Sequence, residues 1–273
     1  IINLINYKMK IIEIVYIKND LEYIYEFVEY YLNLGVDFIH IIYFRSENDN
    51  VDIYKLLDKF KENILIEEKD DYNEHSILTY YSNYYKHEYD WIMFFNCDEY
   101  LTFTKHKNIK DYLSDPMFNN YEQIQINWKI YNDNNLLYND NRKMIERFTS
   151  CNDNYGNIHV KPIIRGKLNK DYINITPHFF YPFITCDANG NNLNRCINDN
   201  WAETWCVNPP RHEIAYIKHF ITKTIDEFIR NKMFICTDQY KRSLDFFWTV
   251  NEKTPEKINF IKEKYPQLLT VNE

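Results

Sequence analysis

From Lys10 to Asn96 the chain alternates short, almost wholly apolar runs with longer stretches whose apolar positions recur every three or four residues. "KIIEIVYI" predicts a first strand. "NDLEYIYEFVEYYLNLG" then sets Leu21, Ile24, Phe27, Val28, Tyr31 and Leu32 on one helical face, opened by a cap at Asn19 or Asp20 and closed by Gly35. "DFIHIIYF" predicts a second strand, "VDIYKLLDKFKE" a short helix, "NILIEE" a third strand, "NEHSILTYYSNYYKHE" a helix and "WIMFFN" a fourth strand. This rhythm predicts an α/β fold with a mostly parallel central sheet of Rossmann type and helices on both faces. Ligands of such sheets sit at the carboxyl ends of the strands, where Asn96, Cys97, Asp98 and Glu99 fall.

Beyond about residue 120 the rhythm breaks. "YEQIQINWKIY" and "HVKPIIRG" read as strands around the polar loop "NDNNLLYNDNRK". "CDANGNNLNRCINDNWAETWC" is long and irregular, and "EIAYIKHFITKTIDEFIRNKMF" predicts a strand followed by a helix capped by Thr222 or Thr224. The expectation is one domain over 1–273, with a nucleotide-binding half to about 120 and an acceptor-side half from about 121.

The acidic tip admits two readings. It is a solvated turn, or it aims oxygen ligands into a cleft. Continued strand alternation would put Asn96 and Asp98 on one face and Cys97 on the other, a pairing that suits Mg²⁺ or Mn²⁺ completed by water and phosphate oxygens.

Composition narrows the partners. A net charge of -8 argues against nucleic acid, which requires a dense cationic footprint. No apolar run is long enough to span a bilayer. With 4 Gly in 273 residues, Asn takes over turn positions. The cysteines Cys97, Cys151, Cys186, Cys196, Cys206 and Cys236 form no C-x-x-C pair, so a zinc knuckle is not expected and a reducing, cytoplasmic setting is.

Several blocks, in order, carry a resemblance. "KNDLEYIYEFVEYYLNLGVDFIHIIY" resembles the K-N-E, E-W, Y-H, G-V-D, Y-D-N opening of the family 92 glycosyltransferases and related GT-A-type, family 2-like transferases. "DWIMFFNCDEYL" is similar to their W-x-x-x-x-D-x-D-E-F segment, "HVKPIIR" to K-x-I-V-R-P, "TPHFF" to an isolated His, and "IKHFITKTIDEF" to the closing N-H-Y, K-S, E-E-F motif. "INWKIY" matches their Trp-bearing strand.

The resemblance implies a GT-A-like fold and transfer of a sugar from a nucleotide-sugar, a UDP- or GDP-sugar, to a hydroxyl of a glycan or glycoconjugate, with inversion and with Mn²⁺ or Mg²⁺. It places Lys18, Asn19, Asp20 and Lys223 at the nucleotide, Asn96, Asp98 and His219 at the metal, and His178 on the acceptor side. Lys161 and Arg165 are further cationic candidates, one of them expected at the surface. For the general base, Asp133 follows the Trp-bearing strand and Glu203 stands between Trp201 and Trp205, which suit a sugar-stacking wall. Two departures stand out: Asn96 replaces the family's first Asp, and "YFRSEND" puts Phe44 and Arg45 in place of Y-D-N. The alternatives are a non-catalytic carbohydrate- or nucleotide-binding relative and a metal-dependent nucleotidyltransferase.

Overall fold

A computed structural model describes residues 8–18, 20–45, 51–70, 73–195, 202–234 and 242–268. Asn19, Cys196, Trp201 and Cys236, singled out above, lie outside them, as does the side chain of Glu203. The chain divides into two compact units, one of 1–129 with 155–218 and one of 130–154 with 219–273.

The first unit is built on the predicted strands. They are β1 Ile11–Ile17, β2 Phe38–Tyr43, β3 Ile64–Glu68, β4 Trp91–Met93, β5 Glu99–Phe103, β6 Gln123–Ile130 and β7 Val160–Arg165. β8 Ile173–Thr176 and β9 Phe179–Tyr181 make a separate two-stranded sheet, and β10 Thr185–Asp187, β11 Asn192–Leu193 and β12 Ala215–His219 join the main one. The main order is β11-β10-β6-β7-β4-β1-β2-β3, with β12 paired to β5 and β6. β3, β2, β1 and β4 run parallel, as predicted. β7 is antiparallel to both β4 and β6, which the helix–strand rhythm did not predict.

Helices cover both faces. Between β1 and β2 runs α1 Ile24–Leu34, entered through a 3-10 turn at Leu21–Tyr23 and closed at Gly35, whose φ of 104° a glycine adopts without strain. Its Tyr31 lies on the face of β1 that carries Glu13. Ile53–Leu56 forms α2, a single turn followed by a separate 3-10 turn at Asp58–Phe60, so the predicted helix over 51–62 is broken. Glu74–Tyr85 forms α3, capped by the Asn73 side chain, and packs Ile77, Leu78, Tyr81 and Tyr85 on Ile12, Ile14 and Ile42, the other face of β1 and β2. Because β1 is buried on both faces, its sequence is apolar at nearly every position instead of alternating.

The second unit has its own apolar cluster of Ile225, Phe228, Ile229, Phe247, Ile261 and Tyr265. Of the two predicted caps, Thr224 is used: it opens a helical turn at Ile225–Phe228 through a capping box with Glu227. The Glu227 carboxylate also accepts two hydrogen bonds from Arg147, at 2.8 and 3.0 Å, both side chains being fully buried. No helix among the described residues is long and apolar enough to cross a membrane.

Candidate functional site

β1 connects to β2 on one side, and after β3 the chain returns across the sheet to β4 on the other side of β1. The carboxyl ends of β1 and β4 therefore flank a topological switch point, where the loops diverge and leave a crevice. The loop after β1 carries Lys18 and Asp20, both half-buried, and the segment after β4 carries Asn96, Asp98 and Glu99.

The tip is not the solvated turn that one reading allowed. Asp98 is 5% exposed and Glu99 is wholly buried. Nor does strand alternation reach it, because β4 stops at Met93 and Cys97–Asp98 form a turn. The cause lies in Glu13 of β1, whose Oε1 accepts the Phe95 N–H at 2.6 Å and takes it out of the strand ladder. Glu99 Oε2 then accepts the Asn96 N–H at 2.7 Å, while the Glu99 N–H donates to the Asn96 carbonyl at 2.9 Å. Two buried carboxylates thus hold the bend that presents Asp98.

A buried cation completes the cluster. β7 is antiparallel to β4, so its start lies at the carboxyl end of β4, and Lys161 there is 3% exposed. Its Nζ is 3.4 Å from Asn96 Oδ1 and 3.4 Å from Glu99 Oε2. Burial pushes the Glu99 carboxyl up to about 7 against the pull of Lys161, with Asp98 adding to the rise. Burial also raises Glu13 well above the carboxylate range, with Glu99 contributing and the Phe95 N–H and Lys161 opposing. Glu13 Oε2 and Glu99 Oε1 accept no hydrogen bond among the described residues.

Arg165, the second cationic candidate on β7, has no part in this cluster. It lies over the Trp91 ring at 4.3 Å and donates to the carbonyls of Tyr121 and Phe118.

The donor set does not suit a divalent cation held by Asn96 and Asp98. Asn96 is neutral, its Oδ1 faces an ammonium, and no group of three His, Cys, Asp or Glu side chains among the described residues is placed to hold a metal.

His219 ends β12 and is 4% exposed; it, Lys223 and Asp133 belong to the second unit. Lys223 is buried with φ 54°, a left-handed conformation that a side chain other than glycine rarely adopts. The Asp133 carboxylate meets Lys257 Nζ at 2.7 Å, both side chains buried. Burial raises Asp133, and Lys257 and the Asn135 N–H oppose it. Asn251, which sequence reasoning missed, links two of these segments: its Oδ1 accepts the Asp133 N–H at 2.7 Å and its Nδ2 donates to Thr222 Oγ1 at 3.0 Å. Glu203 lies in the short helix Ala202–Trp205, whose Thr204 carbonyl accepts a hydrogen bond from Gln125 of β6.

Two further features lie at the carboxyl side of the sheet. Trp128, near the end of β6, meets His159 and His178 edge-on, with ring centroids 5.2 and 5.5 Å away. A cavity of about 410 Å³ opens at the ends of β2 and β3, lined by Tyr43, Arg45, Val51, Asp52, Ile53, Tyr54 and Glu68.

No family model and no curated protein matches the chain. Among solved structures, residues 1–349 of S. aureus TarS in complex with UDP are similar at 14% identity and a TM-score of 0.38, over 57% of this chain and 47% of that one. The same protein with UDP-GlcNAc gives 14% identity and a TM-score of 0.35, over 48% of this chain and 37% of that one. A Bacillus anthracis protein assigned as a glucose-1-phosphate thymidylyltransferase gives 11% identity and a TM-score of 0.34, over 50% of this chain and 63% of that one. The chain thus spans less than half of the TarS chains it matches.

Proposed function

We propose that the protein moves a sugar from a nucleotide-sugar of the UDP or GDP class to a hydroxyl of a glycan or glycoconjugate, with inversion at the anomeric carbon. The observation that carries this reading is the seating of the Asn96–Glu99 bend and the Lys161 ammonium at the carboxyl end of β4, beside β1, at the switch point of a parallel sheet. An ammonium held beside an acidic bend at the carboxyl end of a parallel sheet suits a ligand that joins phosphates to sugar hydroxyls.

In this reading the cavity beside Arg45 takes the nucleoside, its volume being of the size small ligands require. Asp98 accepts from donor hydroxyls, and the Trp128, His159 and His178 edge receives the acceptor ring. Asp133 is occupied by Lys257, which leaves Glu203 as the general base.

The test is incubation with UDP- and GDP-sugars and an oligosaccharide mixture, read by mass spectrometry and by the released nucleotide. A nucleoside diphosphate together with a glycosylated product is expected. Asp98→Asn is expected to weaken donor binding by about tenfold or more, the worth of one charged hydrogen bond. Glu203→Gln is expected to keep donor affinity and lose at least about 100-fold in turnover. Release of pyrophosphate would mark nucleotidyl transfer and overturn the proposal, as would the absence of product from every donor.

A further inference from the structure

The sequence resemblance puts a divalent cation at Asn96 and Asp98, and in this chain a side chain already brings positive charge to that bend. Three observations converge on Lys161. Its Nζ lies 3.4 Å from the oxygen of Asn96, the residue that removes one of the two expected negative charges. The same Nζ lies 3.4 Å from Glu99 Oε2, and that oxygen also closes the bend through the Asn96 N–H. The lysine is 3% exposed and reaches the bend from β7, a strand bonded to β4 and β6 on either side, so the ammonium is fixed by the sheet. A metal ion ligated by Asn96 Oδ1 would stand within a few ångströms of that ammonium with little water between to screen them. The substitution of Asp by Asn and the burial of Lys161 are thus complementary: each removes the need for a metal that the other makes unfavourable.

We infer that Lys161 is the built-in counter-cation of this site, and that the protein binds a nucleoside diphosphate without a divalent metal ion. The inference rests on the nucleotide-sugar reading above and gives that site its source of positive charge. Lys161 acts as a positioning residue, since its ammonium lies between Asn96 Oδ1 and Glu99 Oε2 and so holds the bend.

The experiment has two arms on the full chain. In the first, UDP and GDP are titrated calorimetrically in excess EDTA and again in millimolar MnCl₂. The expected result is the same dissociation constant within about twofold, and a gain of about tenfold or more with Mn²⁺ overturns the inference. In the second, Mn²⁺ alone is titrated into the protein and the free-ion electron paramagnetic resonance signal is followed. The wild type is expected to leave that signal unquenched. Stoichiometric quenching overturns the inference whether or not a nucleotide binds.

The double variant Asn96→Asp with Lys161→Met, which restores an acidic pair and removes the ammonium, is expected to quench the signal and to need Mn²⁺ for UDP. Because loss of Lys161 risks the fold, Asn96→Asp alone is the companion variant. With the ammonium retained it is expected to stay metal-independent, and Mn²⁺ dependence in it overturns the assignment to Lys161. If neither UDP nor GDP binds under any condition, the nucleotide-sugar reading falls, and the Mn²⁺ arm still decides whether this bend holds a metal.

Discussion

Single residues fix much of the site's surroundings through what they cannot tolerate. Gly166 follows β7, and a Cβ there would stand 1.9 Å from the Tyr89 carbonyl oxygen, a backbone atom with no rotamer to yield. Gly166→Ala is therefore expected to cost about 3 kcal/mol or more, the upper range for overpacking, read as a lowered urea midpoint. Asp133 gives a second case. Asn at this position keeps the shape and leaves Lys257 buried without its counter-charge, so a loss of about 3–5 kcal/mol is expected in urea denaturation. The double variant with Lys257→Met should recover most of it, and a single variant as stable as wild type would show that the pair contributes nothing. Asp133 itself was visible in the sequence as an acid after a strand. Its partner lies more than a hundred residues further on, and no local pattern announces such a pair.

Among elements, the parallel core was the legible part. β1, β2 and α3 fall where the pattern puts them, because two-sided burial leaves an unmistakable apolar run and a one-sided helix leaves a stripe; β3 also falls where its short apolar run predicts, although it is only part-buried. The hairpin β10–β11 was not legible, since its turn is written in Asn and Gly within a stretch that reads as irregular throughout. The acidic bend was legible as a location and misread as geometry. The hydrogen bond from Phe95 to Glu13 that ends β4 depends on a residue more than eighty positions earlier. In the sequence Lys161 is only one of two cations on its strand, because nothing in "HVKPIIR" says which strand lies beside it.

Packing of α3 against β2 also encloses a titrating group. His40 is 1% exposed, with Tyr85 Oη 3.0 Å from Nδ1 and Glu67 Oε2 3.2 Å from Nε2. Burial pulls it down to about 4, Glu67 opposing and Lys69 assisting. The unfolded chain takes up this proton near pH 6.5 and the folded chain only near 4, so the contribution is complete above 6.5 and lost as pH falls toward 4. The loss is on the order of 3 kcal/mol. Glu67, raised by burial but lowered overall by Lys69 and Tyr81, extends the decline further into acid. Urea denaturation from pH 7 to 4 should show this slope, and His40→Gln should flatten it between 6.5 and 4; equal slopes would remove His40 as the cause.

At the scale of the whole molecule, the chain leaves the first unit at Lys129, returns to it at Tyr155 and leaves it again after Lys218. Neither unit is a continuous piece of sequence. This has a consequence for β5, which begins at Glu99 and has β12, Ala215–His219, as its sheet partner among the described residues. As the protein emerges from a ribosome, the residues of the acidic bend appear early, while the strand that pairs with β5 is synthesised more than a hundred residues later. Until β12 is made, β5 lacks that partner along its edge. A nascent chain halted before β12 would thus carry every residue of the bend and yet leave the strand that follows it without this partner.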